Sequence, residues 1–271
     1  MSEWIAVSRA AHADKYWRPR SGFGFARSHQ LVPFIIAELA KLLPHYALGF
    51  VQNNEGEYQA VAMLGLGGEQ NLFVNDELQW LCSYVPADLR AFPFALLDDD
   101  NGNKIFSIRT DHLSESREQP RLFNGEGELD SSAAAVFEFL SQRETGRHIT
   151  LLACAELSEA GLIEPWPISI AREGNREALK INGLHRINEE ALNKLDSPRL
   201  EKLRDSGALA LAYGQLFSAP QVQQLAQRAE TLAKTKQKTV DAGLDKLLGG
   251  DDAGSLNFDS LASAMENNSN K

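Results

Sequence analysis

Turn-forming residues cut the first 130 positions of this chain into short pieces, and that punctuation limits what it can fold into. "NNEG" (53–56), "GLGGEQN" (65–71) and "DDDNGNK" (98–104) each interrupt an apolar run. The intervening segments are too brief for long helices and suit strands closed by tight turns. Tyr46–Gln52 and Tyr58–Leu64 are predicted to pair as a hairpin across "NNEG". Leu72–Val74 is expected as a short strand. Pro86 and Pro93 push the residues before them toward extended backbone, so Ala91–Leu97 is expected as a strand buried on both faces. Its partner is Lys104–Thr110, reached through a type I′ turn at Asn101-Gly102. The one helix expected in this region is Pro33–Leu43, opened by Pro33 and stopped by Pro44.

From Ser131 the pattern becomes helical. "SSAAAVFEFLSQRETG" has a serine at its start and ends on Gly146, and "RHITLLACAELSEAG" ends on Gly161, so two helices are expected. "PWPISIAREGNREALKING" reads as a second hairpin turning at Glu173–Asn175. Asn188 and Ser197-Pro198 each start a short helix, the second closed by Gly207. "ALALAY" alternates like a strand. Ser218 and Gln221 form an S-x-x-Q capping box before a helix with a seam of Val222, Leu225, Ala229 and Leu232. Beyond Thr239 the chain turns to Gly, Asp, Asn and Ser, the composition of a mobile acidic tail. Two small clusters there, Leu244/Leu247/Leu248 and Leu256/Phe258/Leu261, are spaced like short docking helices.

With 271 residues, 43% of them hydrophobic, the chain can bury a sizeable core. Its formal net charge is -10, and no block of Lys and Arg offers phosphate a surface, so nucleic acid is not an expected partner. Cys82 and Cys154 sit in apolar stretches and read as reduced, buried thiols. The N-terminus lacks the basic-then-apolar pattern of a secretory signal, and no run is long enough to span a membrane. The expected location is the cytoplasm.

No complete catalytic motif is present. In "GLGGEQN" Gln70 stands where the dinucleotide fingerprint needs its third glycine, and no Gly-Lys-Ser/Thr follows, so a plain turn is expected. The "DDDNGN" turn fails as a calcium loop, because Leu97 and Ile108 fall where carboxylates are required. Six scattered histidines show no zinc spacing. His12 and Asp14 do fit the first two ligands of an iron-binding His-x-Asp triad, with a distant histidine as third. Arg90 stands among Tyr84, Leu89, Phe92 and Phe94. Such a guanidinium either bridges to an internal acid or backbone group, or anchors an acidic ligand between Trp80 and Tyr84. His185 and Arg186 in "LHRIN" form a second candidate pair. No cofactor is expected.

One long stretch carries more than local information. "VAMLGLGGEQNLFVNDELQWLCSYVPADLRAFPFAL" resembles the signature region of the SapC family of bacterial proteins: an apolar strand ending in Leu-Gly, then Asn71–Val74, Trp80 and "YVPxxLRxxPF" at Tyr84–Phe94. Flanking similarities are His12, "FARSHQLVP", Glu38, Tyr46 and Phe50 upstream, and "LFNGEGE", "GLIEPWPISI", "INGLHRINEEALNKL" and "SGALALAYGQLFS" downstream. They span roughly residues 10 to 232. The resemblance implies a role in a surface-layer locus, beside halogenase-like enzymes, cupin-like hydroxylases and TonB-dependent receptors. It supplies no catalytic residues.

The expectation is therefore an α+β protein with mainly antiparallel strands. A sheet-rich portion (1–128) and a helix-rich portion (129–238) precede the tail (239–271), as two lobes or one body. Two functions are carried forward. The first is a non-catalytic binding or accessory protein of a surface-layer, export or outer-membrane-uptake system, with a protein partner or small acidic ligand at Trp80, Tyr84, Arg90, His185 and Arg186. The alternative is an iron-dependent oxygenase-like enzyme or subunit using His12 and Asp14.

Overall fold

The computed structural model describes residues 3–67, 70–171 and 177–248, with side chains as far as 235. The chain divides into two compact units, Met1–Ala226 and Gln227–Lys271. Among the described residues the first contains four antiparallel sheets. The largest has five strands in the order β3 (Leu31–Pro33), β5 (Tyr58–Met63), β4 (Leu48–Gln52), β12 (Leu184–Ile187) and β9 (Ile163–Pro165). A three-stranded sheet runs β1 (Trp4–Ala6), β7 (Lys104–Arg109), β6 (Phe94–Asp98). Two-stranded ribbons join β2 (Tyr16–Trp17) to β8 (Leu113–Ser114), and β10 (Ile168–Ile170) to β11 (Leu179–Ile181). The chain is α+β, as its patterning predicts. The β4–β5 hairpin forms as expected, with Leu48 opposite Ala62 and Gln52 opposite Tyr58. The second expected hairpin is β10–β11; its turn lies outside the described residues.

The turn at Asn101-Gly102 is not type I′. Only Gly102 is left-handed there, at φ 79°. Asp99 heads a five-residue loop and accepts the N–H groups of Asn101 and Asn103 through its carboxylate, which holds that carboxyl below its ordinary range. Asn53, Asn75 and Asn124 head loops of the same construction. In each, the fourth residue is left-handed (Gly56, Leu78 and Gly127) and gives its N–H to the head residue's carbonyl. A side-chain acceptor at the loop head thus selects this wider turn over the two-residue one.

Three expected elements change type. Pro33 ends edge strand β3 opposite Val61 instead of opening a helix. Proline is tolerated there because an edge strand has a free side. Helix appears only later, as a 3₁₀ turn at Ile36–Glu38 and α2 (Leu39–Leu42), far shorter than expected. Likewise the strand expected from Ala91 starts late: a helical turn, α3 (Ala87–Arg90), runs into a turn at residues 91–93, and β6 begins at Phe94. Its burial alternates, so it has one buried face and not two. The segment Leu72–Val74 contributes only an isolated bridge between Val74 and Trp80. A further single turn, α1, covers Arg9–His12.

The helical portion also departs from expectation. Ser131–Glu159 is one helix, α4, and Gly146 lies inside it. A side chain at Gly146 would meet Ile35 Cδ1 at 2.8 Å, so glycine serves close packing and not termination. Helix α4 lies against β5 of the large sheet and β6 of the small one. Its start covers a core of Trp17, Phe94, Phe106, Ile108, Leu122 and Leu140. Helices α5 (Glu189–Asn193) and α6 (Ser197–Asp205) begin where predicted, capped by Asn188 and Asp196. "ALALAY" belongs to α7 (Ala208–Ser218), not to a strand. Ala208, Leu211, Ala212, Gln215 and Ser218 are buried at helical spacing, which overrides the apparent alternation. Helix α8 (Gln221–Leu248) carries the Leu225 seam and extends into the stretch expected as tail. Leu256, Phe258 and Leu261, and the side chains of Leu244, Leu247 and Leu248, lie outside the described residues.

The expected Ser218–Gln221 capping box is absent because Ser218 is used elsewhere. Its hydroxyl accepts the Leu48 N–H at 2.9 Å and donates to the Gln215 carbonyl at 2.7 Å. Gln215, also buried, accepts from Ile187 N at 2.8 Å and donates to the Leu48 carbonyl at 3.3 Å. The β4–β12 ladder pairs only Leu184 with Val51 and His185 with Phe50. Helix α7 thus supplies partners for backbone groups that the ladder leaves unpaired. Gln215→Leu should lower unfolding free energy by about 2–4 kcal/mol, since two buried backbone groups lose partners at about 1–2 kcal/mol each. Chemical denaturation checks this.

Candidate functional site

A buried carboxylate organises the signature segment. Glu38 is 4% exposed. Its Oε1 accepts the Ala87 N–H at 2.6 Å and the Tyr84 hydroxyl at 2.7 Å, and its Oε2 accepts the Ile35 N–H at 3.2 Å. One side chain therefore joins the β3–α2 connection to the start of α3. Burial raises the Tyr84 phenol well above its ordinary value of 10. The Glu38 hydrogen bond and charge push the same way, and Arg90 opposes them.

The Tyr84 carbonyl is a second junction. It accepts from Tyr46 Oη, from Trp80 Nε1 at 3.1 Å and from Cys82 Sγ at 3.2 Å. Trp80 Nε1 also reaches Tyr46 Oη at 2.9 Å. The Trp80 ring stacks on Phe73 with centroids 5.9 Å apart and meets Phe23 at 5.1 Å. Phe23 arrives through the N-terminal arm, where its N–H donates to the Leu78 carbonyl at 2.7 Å. Gly22 permits that approach: a side chain there would lie 2.8 Å from the Leu78 oxygen.

Arg90 ends α3 and is half-buried. Its guanidinium lies 5.4 Å from the Tyr84 ring and 4.8 Å from that of Phe139 on α4. Nη2 donates to Tyr84 Oη at 3.3 Å, and Nε is buried without a hydrogen-bond partner. Arg20 follows on the same side. It donates from Nη1 to the Arg90 carbonyl at 2.6 Å and lies 4.8 Å over the Phe23 ring. Burial and the neighbouring Arg90 charge both lower its pKa. Lys41 Nζ stands 5.6 Å from the Tyr84 ring. Among the described residues, none of these three cations forms an ion pair with a carboxylate.

A family model, SapC, matches residues 7–225. The chain belongs to the SapC family. No curated protein and no solved structure matches it.

In this SapC chain the sequence-selected residues fall in three places. Trp80, Tyr84 and Arg90 come together as described. His185 and Arg186 sit on β12, where His185 meets the Tyr58 ring at 5.1 Å and Arg186 pairs with Glu164 at 2.9 Å. No contact among the described residues links them to the Arg90 group. His12 is buried, and its Nδ1 faces the Ser8 backbone. Asp14 lines a polar cleft of about 350 Å³ with Lys15, Tyr16, Glu115, Arg117 and Arg121. No group of three His, Cys, Asp or Glu side chains able to hold a metal occurs among the described residues, so His12 and Asp14 gain no third ligand there.

Arg20, Lys41 and Phe139 were not selected from sequence, because nothing local places them near Arg90. Glu38 had a signal: a lone acid inside the apolar run "FIIAELAKLL". Beyond Glu38, a cleft is lined by Phe34, Asp88, Arg143, Arg147 and Thr150. Its enclosed space is about 20 Å³, room for roughly one water.

Two outcomes follow from these environments. Raising the folded-state pKa of a phenol leaves stability unchanged below pH 10 and removes it as pH climbs toward the folded value. Tyr84→Phe should therefore flatten the alkaline fall in stability, measured by melting temperature against pH. Cys154 is fully buried and its thiol is pushed up to about 12, while Cys82 is half-buried. A thiol reagent should label Cys82 first and Cys154 only on unfolding, read by mass spectrometry.

Proposed function

We propose that this SapC protein is a non-catalytic binding or accessory protein of a bacterial surface-layer, export or outer-membrane-uptake system. Its contact surface is the face built by Trp80–Phe94 and the N-terminal arm. The observation that supports this reading is the environment of Arg90. Cys82, Trp80 and Tyr84 are engaged in holding the fold: Cys82 and Trp80 on the Tyr84 carbonyl, and the Tyr84 hydroxyl on Glu38. What remains is recognition equipment, a guanidinium beside two rings with no carboxylate paired to it directly among the described residues.

Immobilised wild-type protein should retain a partner from a bacterial envelope extract that Arg90→Ala releases, with binding weakened about tenfold or more, as for loss of a charged anchor. Melting temperature provides the control for folding. Equal retention by a folded Arg90→Ala protein would remove this face as the contact surface.

A further inference from the structure

Like charges are brought together here without an internal acid to offset them. Arg20 and Arg90 are both half-buried, and the Arg20 guanidinium is tied to the Arg90 backbone at 2.6 Å. Such an arrangement costs free energy through desolvation and repulsion unless an anion joins it. Several other arginines do pair with acids: Arg143 with Asp88, Arg147 with Glu144, Arg186 with Glu164. Arg20 and Arg90 have no such carboxylate partner among the described residues, in a chain of net charge -10.

We infer that Arg20 and Arg90 form a two-guanidinium clamp for a carboxylate carried on an aromatic or apolar body, with the rings of Phe23, Tyr84 and Phe139 as its walls. This rests on the reading of the face as a contact surface and names the chemistry it recognises. Aromatic rings flank both guanidinium groups: Tyr84 and Phe139 lie near Arg90, and Phe23 lies near Arg20. An edge of two guanidinium N–H groups matches the two oxygens of a carboxylate. Arg90 Nε is buried without an acceptor, so the fold leaves this guanidinium incompletely satisfied. The flanking rings favour a ligand with apolar surface beside its charge. Lys41, across the Tyr84 ring, adds positive potential without a fork.

Benzoate, acetate and inorganic phosphate are the probes, added to the full chain. Benzoate should raise the melting temperature and shift the Nε–H resonances of Arg20 and Arg90 in wild-type protein. Acetate should do so more weakly, lacking the ring. Arg20→Gln should weaken benzoate binding by about tenfold or more, the loss expected for a charge-assisted hydrogen bond. Arg90→Lys, which keeps the charge and loses the fork, should weaken it similarly. Unliganded melting curves identify any variant that fails to fold, and the wild-type resonance shifts remain decisive in that case. Resonances unmoved by benzoate, phosphate binding more tightly than benzoate, or benzoate binding unchanged in folded Arg20→Gln would each overturn the clamp. If the clamp fails while Arg90→Ala still releases the captured partner, the contact surface stands and only the carboxylate chemistry falls.

Discussion

The Glu38 carboxylate is the contact on which the candidate site depends. A buried charge must be satisfied by hydrogen bonds or neutralised, and Glu38 is satisfied by two backbone N–H groups and one hydroxyl. Those three donors come from two separate parts of the chain. Ile35 precedes α2, whereas Tyr84 and Ala87 open the signature segment. Because one carboxylate binds all three, the large sheet's edge and α3 are held at a fixed separation. Tyr84 is fixed at both ends as a result, its hydroxyl on Glu38 and its carbonyl under Tyr46, Trp80 and Cys82.

A rigid tyrosine then provides a platform for cations. Arg90 and Lys41 both lie near its ring, and Arg90 is enclosed on its other side by Phe139. The N-terminal arm completes the arrangement. Gly22 lets Phe23 settle on Trp80, and Arg20 is carried to the Arg90 carbonyl. Guanidinium groups beside aromatic rings are suited to recognising and orienting charged groups. This supports the proposed reading of the site as one of binding.

Parts of this were legible in the residues themselves. The alternation and turn residues around "NNEG" suffice to define the β4–β5 hairpin, because both signals are local and agree. The starts of α5 and α6 were legible for the same reason, each carrying its own cap. Trp80, Tyr84 and Arg90 were legible as a group because they lie within eleven positions of one another. The errors arose where a local signal had two meanings. Gly146 can end a helix or admit a neighbour, and Ile35, more than a hundred positions away, decided the matter. "ALALAY" suits either period, and burial of Gln215 beneath the large sheet selected the helix.

By itself the sequence determined the class of the fold, its antiparallel hairpins, the helical character of its second half and the concentration of aromatic residues around Arg90. These follow from periodicity, turn chemistry and composition, which act over a few residues. Tertiary structure alone decided that Glu38 would be the buried tie, that α7 would complete the hydrogen bonding of β4 and β12, and that Arg20 would stand beside Arg90. Those contacts join positions 28 to 170 residues apart. Their selection depends on which polar groups remain unsatisfied once the sheets have packed, a quantity that no short stretch of sequence contains.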